Sequence, residues 1–322
     1  MKIKAAMHSS FPRIGEHPDE QKLRRAYAGL EEGKINKDEF TKIENDVIAD
    51  VIRLQETSGL DILTDGLIRW YDPVSHLARN LKGFEINGLL RFFDTNFYYR
   101  QPVYLGELAS GNGALNGEIE YAVKATSGAV KAVLLGPLSL AAMSLNKSSL
   151  KFEDFFLKIA EIIGQKISQI ATKGVKYIQL DEPWLVRHPE QFDLFKAGYS
   201  LMAGYKKDSK LVLTFYFGDV NKIYSRLPEI PADIYGVDFT YSPGLLEKMS
   251  ADNLPGGIAA GILDARNTKL EDASAIAKKI EPLFKKPGEH HVTTSCGLEY
   301  LPRNYAMEKL TLTAQVAKLL NG

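Results

Sequence analysis

Eight short apolar runs recur along the chain, and most of the stretches between them are long enough to form a helix. This alternation predicts βαβ units and a parallel sheet. Eight such units indicate an α/β fold built as a single closed (β/α)8 barrel of the TIM type. The predicted strands are 3–9, 60–65, 132–136, 177–181, 211–216, 234–238, 258–264 and 291–296.

Apolar residues at three- and four-residue steps predict amphipathic helices between these strands. The clearest is 152–172, where Phe156, Ile159 and Ile163 share one face, and Gly174 follows as a helix-ending residue. The same pattern predicts helices at 20–33, 36–57, 270–283 and 307–320.

The stretch 71–127 does not follow the repeat and is rich in aromatic residues and glycine. Two extended runs, 101–108 and 117–125, flank the turn sequence Gly111-Asn112-Gly113 and predict a β-hairpin inserted after the second strand. Loops of this length are often lids or binding loops. We therefore expect one barrel domain over 1–322, with 71–127 as an inserted segment that leans over the barrel mouth.

Composition narrows the class of protein. A length of 322 residues suits one barrel with insertions or two small domains. Equal numbers of acidic and basic residues, 40 of each, give no bulk charge that indicates nucleic-acid binding. A single cysteine excludes an internal disulfide framework and suits a reducing cytosol.

The hydropathy of the chain bears on its location. No apolar stretch approaches the roughly 20 residues needed to span a bilayer, and the apolar part of the N-terminus is too short for a signal peptide. We therefore expect a cytoplasmic protein with neither a membrane nor a nucleic acid as partner.

Several predicted strands end in residues that carry chemistry. In a (β/α)8 barrel the carboxyl ends of the strands form the active-site rim. Each such residue alone could end a strand or cap the next helix, but six on one rim favour a functional site. They are Asp65, Asp181, Glu182, Asp238, Asp264 and Cys296.

Asp181 and Glu182 are adjacent and precede Pro183, where the chain turns, so both could face the mouth. Paired carboxylates there could bind an ammonium group, act as general acid and base, or hold a metal. A salt bridge to a neighbouring arginine or lysine is the equally weighted alternative.

Cys296 ends the last predicted strand, and a lone buried cysteine usually packs as a small hydrophobe. A zinc thiolate would need imidazole or thiolate partners within reach. His290 and His291 lie at the start of the same strand, roughly 16 Å away along five extended residues. They are expected at the opposite end of the barrel, so no zinc site is predicted from these residues.

Basic residues follow the first strand and recur in the inserted segment: Arg13, Lys22, Arg24, Arg25 and Arg91. Arginine and lysine beside a cleft can hold a polyanion by charge-assisted hydrogen bonds, whereas the alternative is a solvated helix face. Neither a P-loop nor a dinucleotide-binding glycine motif is present. These five residues are the candidate substrate-binding residues.

Several segments, taken together and in order, resemble the cobalamin-independent methionine synthase family over nearly the whole chain. That family has two similar (β/α)8 barrels, of which the C-terminal one binds zinc and homocysteine, and its methyl donor is a polyglutamylated methyltetrahydrofolate. The FDTN sequence at 93–96 and the sequence at 260–267 resemble the N-terminal barrel more than the C-terminal one. The matching segments are 11–15, 70–72, 93–99, 134–137, 179–183, 261–267 and 295–296.

The resemblance also implies a departure from the catalytic barrel, which carries a His-x-Cys pair after the fifth strand, a Glu after the sixth and a Cys after the eighth. The matching positions are Thr214, Tyr216, Asp238 and Cys296. Neither threonine nor tyrosine is a usual zinc ligand, so Asp238 and Cys296 are the only retained candidate ligand positions. Without zinc, the homocysteine thiol lacks the metal that would form its thiolate at neutral pH.

The resemblance therefore implies a non-catalytic barrel with no cofactor of its own. By the same resemblance, Lys22, Arg24, Arg25 and Arg91 match basic residues that contact the glutamate tail of the donor. Asp181, Glu182, Asp238 and Cys296 remain the candidate catalytic residues.

Three hypotheses follow. The first is the donor-binding subunit of a split methionine synthase that docks a zinc-bearing barrel of the C-terminal type. The second is a self-sufficient methyltransferase acting on homocysteine or a related thiol, with an atypical metal site. The third is a non-catalytic scaffold or small-molecule-binding barrel. The basic cluster persists while the zinc ligands do not, which favours the first.

Overall fold

The structure is a computed structural model, and it describes residues 2–111, 113–252 and 254–322. Its strands include eight that are parallel and three that form a separate small sheet. In chain order they are β1 (Lys4–Ala5), β2 (Ile62–Leu63), β3 (Leu81–Arg91), β4 (Tyr98–Ser110), β5 (Ala129–Leu135), β6 (Leu145–Asn146), β7 (Tyr177–Asp181), β8 (Lys210–Phe215), β9 (Ile234–Asp238), β10 (Gly257–Leu263) and β11 (His291–Thr294).

The helices alternate with the parallel strands along most of the chain. They are α1 (Lys22–Glu31), α2 (Lys37–Thr57), α3 (Pro73–Arg79), α4 (Ala114–Lys124), α5 (Pro137–Met143), α6 (Phe152–Ala171), α7 (Phe192–Met202), α8 (Asn221–Tyr224), α9 (Leu245–Ala251), α10 (Ala273–Ile280) and α11 (Arg303–Asn321).

The eight parallel strands form a barrel in the order β1-β11-β10-β9-β8-β7-β5-β2. A parallel bridge between Ala6 and Ile62 joins its two ends, and the Met7 amide donates to the Ile62 carbonyl at 2.9 Å. The predicted (β/α)8 fold class is therefore confirmed. Each of the eight predicted strands overlaps one of the observed parallel strands.

The small sheet contains a hairpin of β3 and β4, paired antiparallel from Leu81↔Ser110 to Arg91↔Tyr98, and β6 pairs parallel with β4. The two strands are connected by residues 92–97 and not by the turn predicted at 111–113. Asn112 of that predicted turn lies outside the described residues. The prediction of an extended run at 117–125 was wrong, because nearly all of this segment lies in α4. Its buried residues, Leu115, Ile119 and Ala122, recur at four- and three-residue steps, which is a helical period.

The apolar core lies between the barrel and its outer helices, whereas the barrel interior is largely polar. A small apolar layer inside the barrel includes Ile62, Tyr177 and Val212, but Lys131 and Gln179 are also buried there. Buried polar groups need hydrogen-bond partners, so these side chains must bond to particular neighbours inside the barrel. Among the described residues, each helix is too short or too polar to cross a membrane.

Glu289 organises the base of the barrel, where β11 begins. It accepts hydrogen bonds from Lys4 at 2.8 Å, Lys210 at 2.5 Å and His291 Nε2 at 3.0 Å, and also from the Tyr177 hydroxyl. His291 is thus bonded to Glu289 at the amino end of β11, the strand that precedes Cys296. Contacts at this end of a (β/α)8 barrel serve stability.

Candidate active site at the barrel mouth

A cavity lies at the carboxyl ends of the strands, beneath the β3–β4 connection. Its free volume is about 70 Å³. Half of its lining residues are aromatic, and its polar groups come from segments far apart in the sequence. The lining residues are Ser9, Ser10, Phe11, Arg13, Leu67, Trp70, Tyr71, Asp72, Pro73, Phe92, Phe97, Tyr98, Asp181, Tyr216, Glu299 and Tyr300.

Asp181 is the end residue of β7 and reaches this cavity through a buried hydrogen-bond network. Gln179 Nε2 donates to Asp181 Oδ1 at 2.8 Å, and the Tyr216 hydroxyl donates to Oδ2 at 3.2 Å. Behind them, Lys131 Nζ donates to Gln179 Oε1 at 2.6 Å. The Gln179 amide therefore bridges a buried ammonium and a buried carboxyl group.

Burial moves the pKa values of both ends of this bridge toward neutrality. Loss of hydration raises the pKa of Asp181 to about 7, although Gln179, Lys131 and Tyr216 oppose that shift. Burial lowers the pKa of Lys131 to about 7, and the charge of Asp181 opposes that shift. Because the two groups interact, they titrate as a pair, and Asp181 is placed to hold a proton near neutral pH.

Glu299 is another carboxyl group in the cavity wall. Its Oε2 accepts a hydrogen bond from Ser10, which lies 289 residues earlier in the chain, and burial raises its pKa. Arg13 lines the same cavity. One guanidinium and three carboxyl groups therefore line the cavity, and one of these carboxyl groups, Asp72, caps α3 by accepting from the Ser75 amide at 2.6 Å.

Glu182 follows Asp181 but points away from this network and caps α5. Its carboxylate accepts from the amides of Leu138 and Ser139, each at 3.0 Å, and from the Ser139 hydroxyl at 2.7 Å. A Cβ at Gly136 would lie 2.2 Å from Glu182 Oε1, so glycine there lets the carboxylate reach the helix end. Burial raises the pKa of Glu182 to about 7, while these donors oppose the shift.

The other carboxylates at the strand ends bond to nearby backbone. Asp65 accepts from the Leu67 amide at 3.0 Å, and Asp264 accepts from the Arg266 amide at 2.9 Å. Asp238 Oδ1 accepts from the amide and hydroxyl of Thr240 at 2.8 and 2.6 Å. Burial raises the pKa of Asp238 to about 6. Of the six strand-end residues predicted at the mouth, Asp181 is the one that lines the described cavity.

The four positions that the resemblance matches to zinc ligands, Thr214, Tyr216, Asp238 and Cys296, do not suit zinc. The Tyr216 hydroxyl is bonded to Asp181, and the buried Thr214 hydroxyl has no partner among the described residues. Burial, followed by the charges of Glu299 and Asp238, raises the pKa of the Cys296 thiol well above its usual value. That disfavours the thiolate that zinc would bind. Within the described ranges, no group of three or more His, Cys, Asp or Glu residues could hold a metal ion.

The predicted basic residues occupy two settings. Arg13 lies in the cavity wall, where Nε donates to the Ile68 carbonyl at 2.7 Å and Nη2 to the Tyr27 hydroxyl at 2.9 Å. Lys22, Arg24 and Arg25 expose their side chains on α1. Lys22 pairs with an aspartate at 3.1 Å, and Arg25 donates to a backbone carbonyl at 2.7 Å.

Arg24 has no hydrogen-bond or ion-pair partner in the described part of the chain, so its charge is available to a ligand. Arg91 is exposed at the end of β3 and donates to the Thr95 carbonyl at 2.6 Å.

Sequence reasoning missed Lys131, Gln179 and Glu299 as site residues. A signal existed for Lys131, which is a charged residue within the apolar run Ala129–Leu135. Glu299 gave no such signal, because only folding brings it to Ser10.

Comparisons with known proteins agree with this architecture. A family model described as "Cobalamin-independent synthase, N-terminal domain" matches residues 75–287. A methionine synthase of Sulfolobus acidocaldarius is 28% identical over 305 residues, which cover 92% of this chain and 88% of the relative.

Solved structures show the same fold. That of a B12-independent methionine synthase from Shewanella sp. W3-18-1, in complex with selenomethionine, aligns with a TM-score of 0.83 at 17% identity, covering 100% of this chain and 98% of the other. A methyltransferase from Methanosarcina mazei aligns with a TM-score of 0.64 at 14% identity, covering 99% and 94%.

Proposed function

The chain belongs to the family of cobalamin-independent synthase N-terminal domains and is a protein of the methionine-synthase type, and from that premise we propose that it is the donor-binding subunit of a split methyltransferase. The donor is a methyltetrahydrofolate-like molecule with a polyglutamate tail, and the acceptor is homocysteine. A separate partner barrel of the C-terminal type supplies the zinc.

One observation carries this proposal: the Tyr216 hydroxyl, at a position where the catalytic barrel has a zinc ligand, is committed to Asp181 at 3.2 Å. A metal centre there would need Tyr216 to leave that bond. The exposed basic residues of α1 and Arg91 remain available for the donor tail. We assign Lys22, Arg24, Arg25 and Arg91 to that tail, and Arg13 to the part of the donor nearest the cavity.

The candidate catalytic residues then divide by what they contact. Asp181 faces the cavity, and its proton can be held or released there near neutral pH. We assign structural roles to Glu182, Asp238 and Cys296. Glu182 accepts from the Ser139 amide and hydroxyl, Asp238 Oδ1 accepts from Thr240, and the Cys296 thiol donates to the Gly297 carbonyl. Asp238 Oδ2 has no hydrogen-bond partner among the described residues. In this proposal 1–322 is one barrel domain, and the inserted segment 71–127 covers the mouth.

The first test is zinc content together with activity. The purified chain is expected to contain far less than stoichiometric zinc by elemental analysis, because its donor set does not suit the metal. Methylation of homocysteine is expected to appear, or to rise, only when a zinc-bearing barrel of the C-terminal type is added. Cys296→Ser should leave the activity of that mixture unchanged.

Two results would overturn the proposal. Stoichiometric zinc with activity in the isolated chain would identify a self-sufficient methyltransferase. No zinc and no activity with any partner barrel would leave a scaffold or small-molecule binder.

The second test reverses charge in the candidate tail site. The double variant Arg24→Glu and Arg91→Glu is expected to weaken donor affinity by at least about tenfold, because hydrogen bonds to charged groups contribute about 1.5–3 kcal/mol each. Affinity is measured by calorimetric titration with the polyglutamylated donor. Lys278→Glu with Lys318→Glu, two exposed lysines on α10 and α11, makes the same change in net charge. Equal donor affinity in both double variants would refute the tail assignment.

A further inference from the structure

Asp94, in the β3–β4 connection, pairs with one arginine and is affected by the charges of two more. Arg187 Nη2 donates to Asp94 Oδ2 at 2.5 Å. This hydrogen bond, and then the charges of Arg187, Arg91 and Arg266, hold the pKa of Asp94 below its usual value. The charges of three guanidinium groups therefore act on Asp94, and that of Arg266 acts on the buried Asp238 as well.

Two of these guanidinium groups rest on aromatic rings that hold them in place. Arg187 Cζ lies 5.1 Å from the centroid of the Phe93 ring. Arg266 Cζ lies 5.4 Å from the Phe217 centroid and 3.9 Å from the Tyr241 centroid. The Phe93 and Phe217 rings are themselves 5.7 Å apart. Stacked guanidinium groups are preorganised donors for planar or tetrahedral oxyanions.

A hydrogen-bond donor in this cluster is unused. Arg266 Nε is buried and has no partner in the described part of the chain, although Nη1 of the same side chain donates to Tyr241. Buried N–H groups are nearly always bonded. This one is free to bond an oxygen atom of a ligand.

The backbone beneath the two arginines is strained. Phe93 has φ 50° and Phe217 has φ 62°, in the left-handed region that bulky residues rarely adopt. Such strain persists only where surrounding contacts enforce it, and it is concentrated at ligand clamps and switches. Here the strained residues are the ones whose rings carry Arg187 and Arg266.

Asp94 is a weakly held occupant of this cluster. Its side chain is 73% exposed, and exposed ion pairs are weak and compete with ions from solution. Asp94 also belongs to the β3–β4 connection, whose Phe92 and Phe97 line the cavity. Displacing Asp94 from Arg187 would remove one contact that holds this connection over the cavity.

We propose that Arg187 and Arg266 form a binding site for a carboxylate or phosphate group of a small ligand. Asp94 fills the site when the ligand is absent, and binding of the anion releases the 92–97 connection from the cavity. The proposal does not depend on the methyl donor, because the ligand is recognised through its oxyanion alone.

The test is a calorimetric titration of the full chain with inorganic phosphate, and separately with succinate, at low ionic strength. Asp94→Asn removes the competing carboxylate and is expected to tighten binding by about threefold or more. Arg187→Gln in that background is expected to weaken it by at least about tenfold. Arg187→Lys keeps the charge but loses the planar fork, and it too should lose most of the affinity. Binding of only one of the two anions would support the site and assign its ligand class, which is phosphate or carboxylate.

Matched controls separate this site from general charge effects. Asp46→Asn removes an exposed aspartate on α2, and Arg226→Gln removes an arginine that also pairs with an aspartate and stacks on a ring, at 4.1 Å from Phe192. Neither is expected to change phosphate or succinate affinity. Equal effects of Asp94→Asn and Asp46→Asn, or no saturable binding of either anion, would overturn the proposal.

Release of the connection is measured through Trp70, which lines the cavity and is 5% exposed. The chain has two tryptophans, so a Trp184→Phe background leaves Trp70 as the sole reporter. Bound anion is expected to increase acrylamide quenching of Trp70. If quenching of Trp70 does not increase at a saturating anion concentration, the anion site is not coupled to the cavity.

Discussion

Replacing Lys131 with methionine is expected to lower the free energy of unfolding by about 1–3 kcal/mol at neutral pH, because the buried Gln179 Oε1 would lose its hydrogen-bond donor. Lys131 is 4% exposed, and the Gln179 amide joins it to Asp181. Urea denaturation followed by circular dichroism measures the change.

A double-variant cycle isolates the contribution of the pair. Lys131→Met combined with Asp181→Asn is expected to cost less than the sum of the two single changes, by about 1–3 kcal/mol. The Gln179 amide remains in the double variant, so the coupling reports on the two ionisable groups. Additive losses would mean that Lys131 and Asp181 do not stabilise each other.

The pH dependence of stability gives a further check on the same variant. The pKa of Asp181 is raised to about 7, so its contribution is present below the usual pKa of 3.8 and is lost as pH rises toward 7. The pKa of Lys131 is lowered to about 7, so its contribution is regained as pH rises from 7 toward the usual value of 10.5. The native chain should therefore gain stability above pH 7 and Lys131→Met should not. A parallel rise in both would contradict the assignment.

Replacing Glu289 with glutamine at the base of the barrel is expected to destabilise the protein by about 3 kcal/mol, because the cationic donors around it would lose their shared carboxylate. Hydrogen bonds, that of His291 first, hold the pKa of Glu289 far below its usual value of 4.5. This stabilisation is present above pH 4.5 and is lost as pH falls below it. Thermal denaturation from pH 7 to pH 3 should show the Glu289→Gln and native curves converging at the acid end.

An exposed ion pair provides the control for this prediction. Glu281 pairs with Lys285 at 3.1 Å, with side chains 58% and 69% exposed, and Glu281→Gln should change the melting temperature very little. A loss for Glu289→Gln no larger than that control would show that the base contacts do not stabilise the barrel.

The strands could be predicted from the sequence because each is a local apolar run whose burial is decided by its own residues. The run 234–238 is both the predicted strand and the observed β9, with each residue buried. The segment 117–125 was misassigned because a short apolar pattern fits both strand and helix. The segment is helical because a helix buries Leu115 and Ile119 in the core together.

The candidate site was predictable in part. Asp181 was singled out and lies in the cavity wall, but nothing in the sequence separated it from Glu182 or Asp238. Carboxylates at strand ends have backbone amides within two or three residues that compete for them. Asp238 took such a bond, from Thr240, while Asp181 met side chains from its own and a neighbouring strand.

The sequence by itself determined the barrel and the family, because strand periodicity and residue identity are properties of local segments. Tertiary structure alone decided that Lys131 faces Gln179, that Glu299 meets Ser10, and that Asp94 lies against Arg187. Those contacts depend on strand register and on closure of the barrel, which join residues tens to hundreds of positions apart. No local pattern in the chain records them.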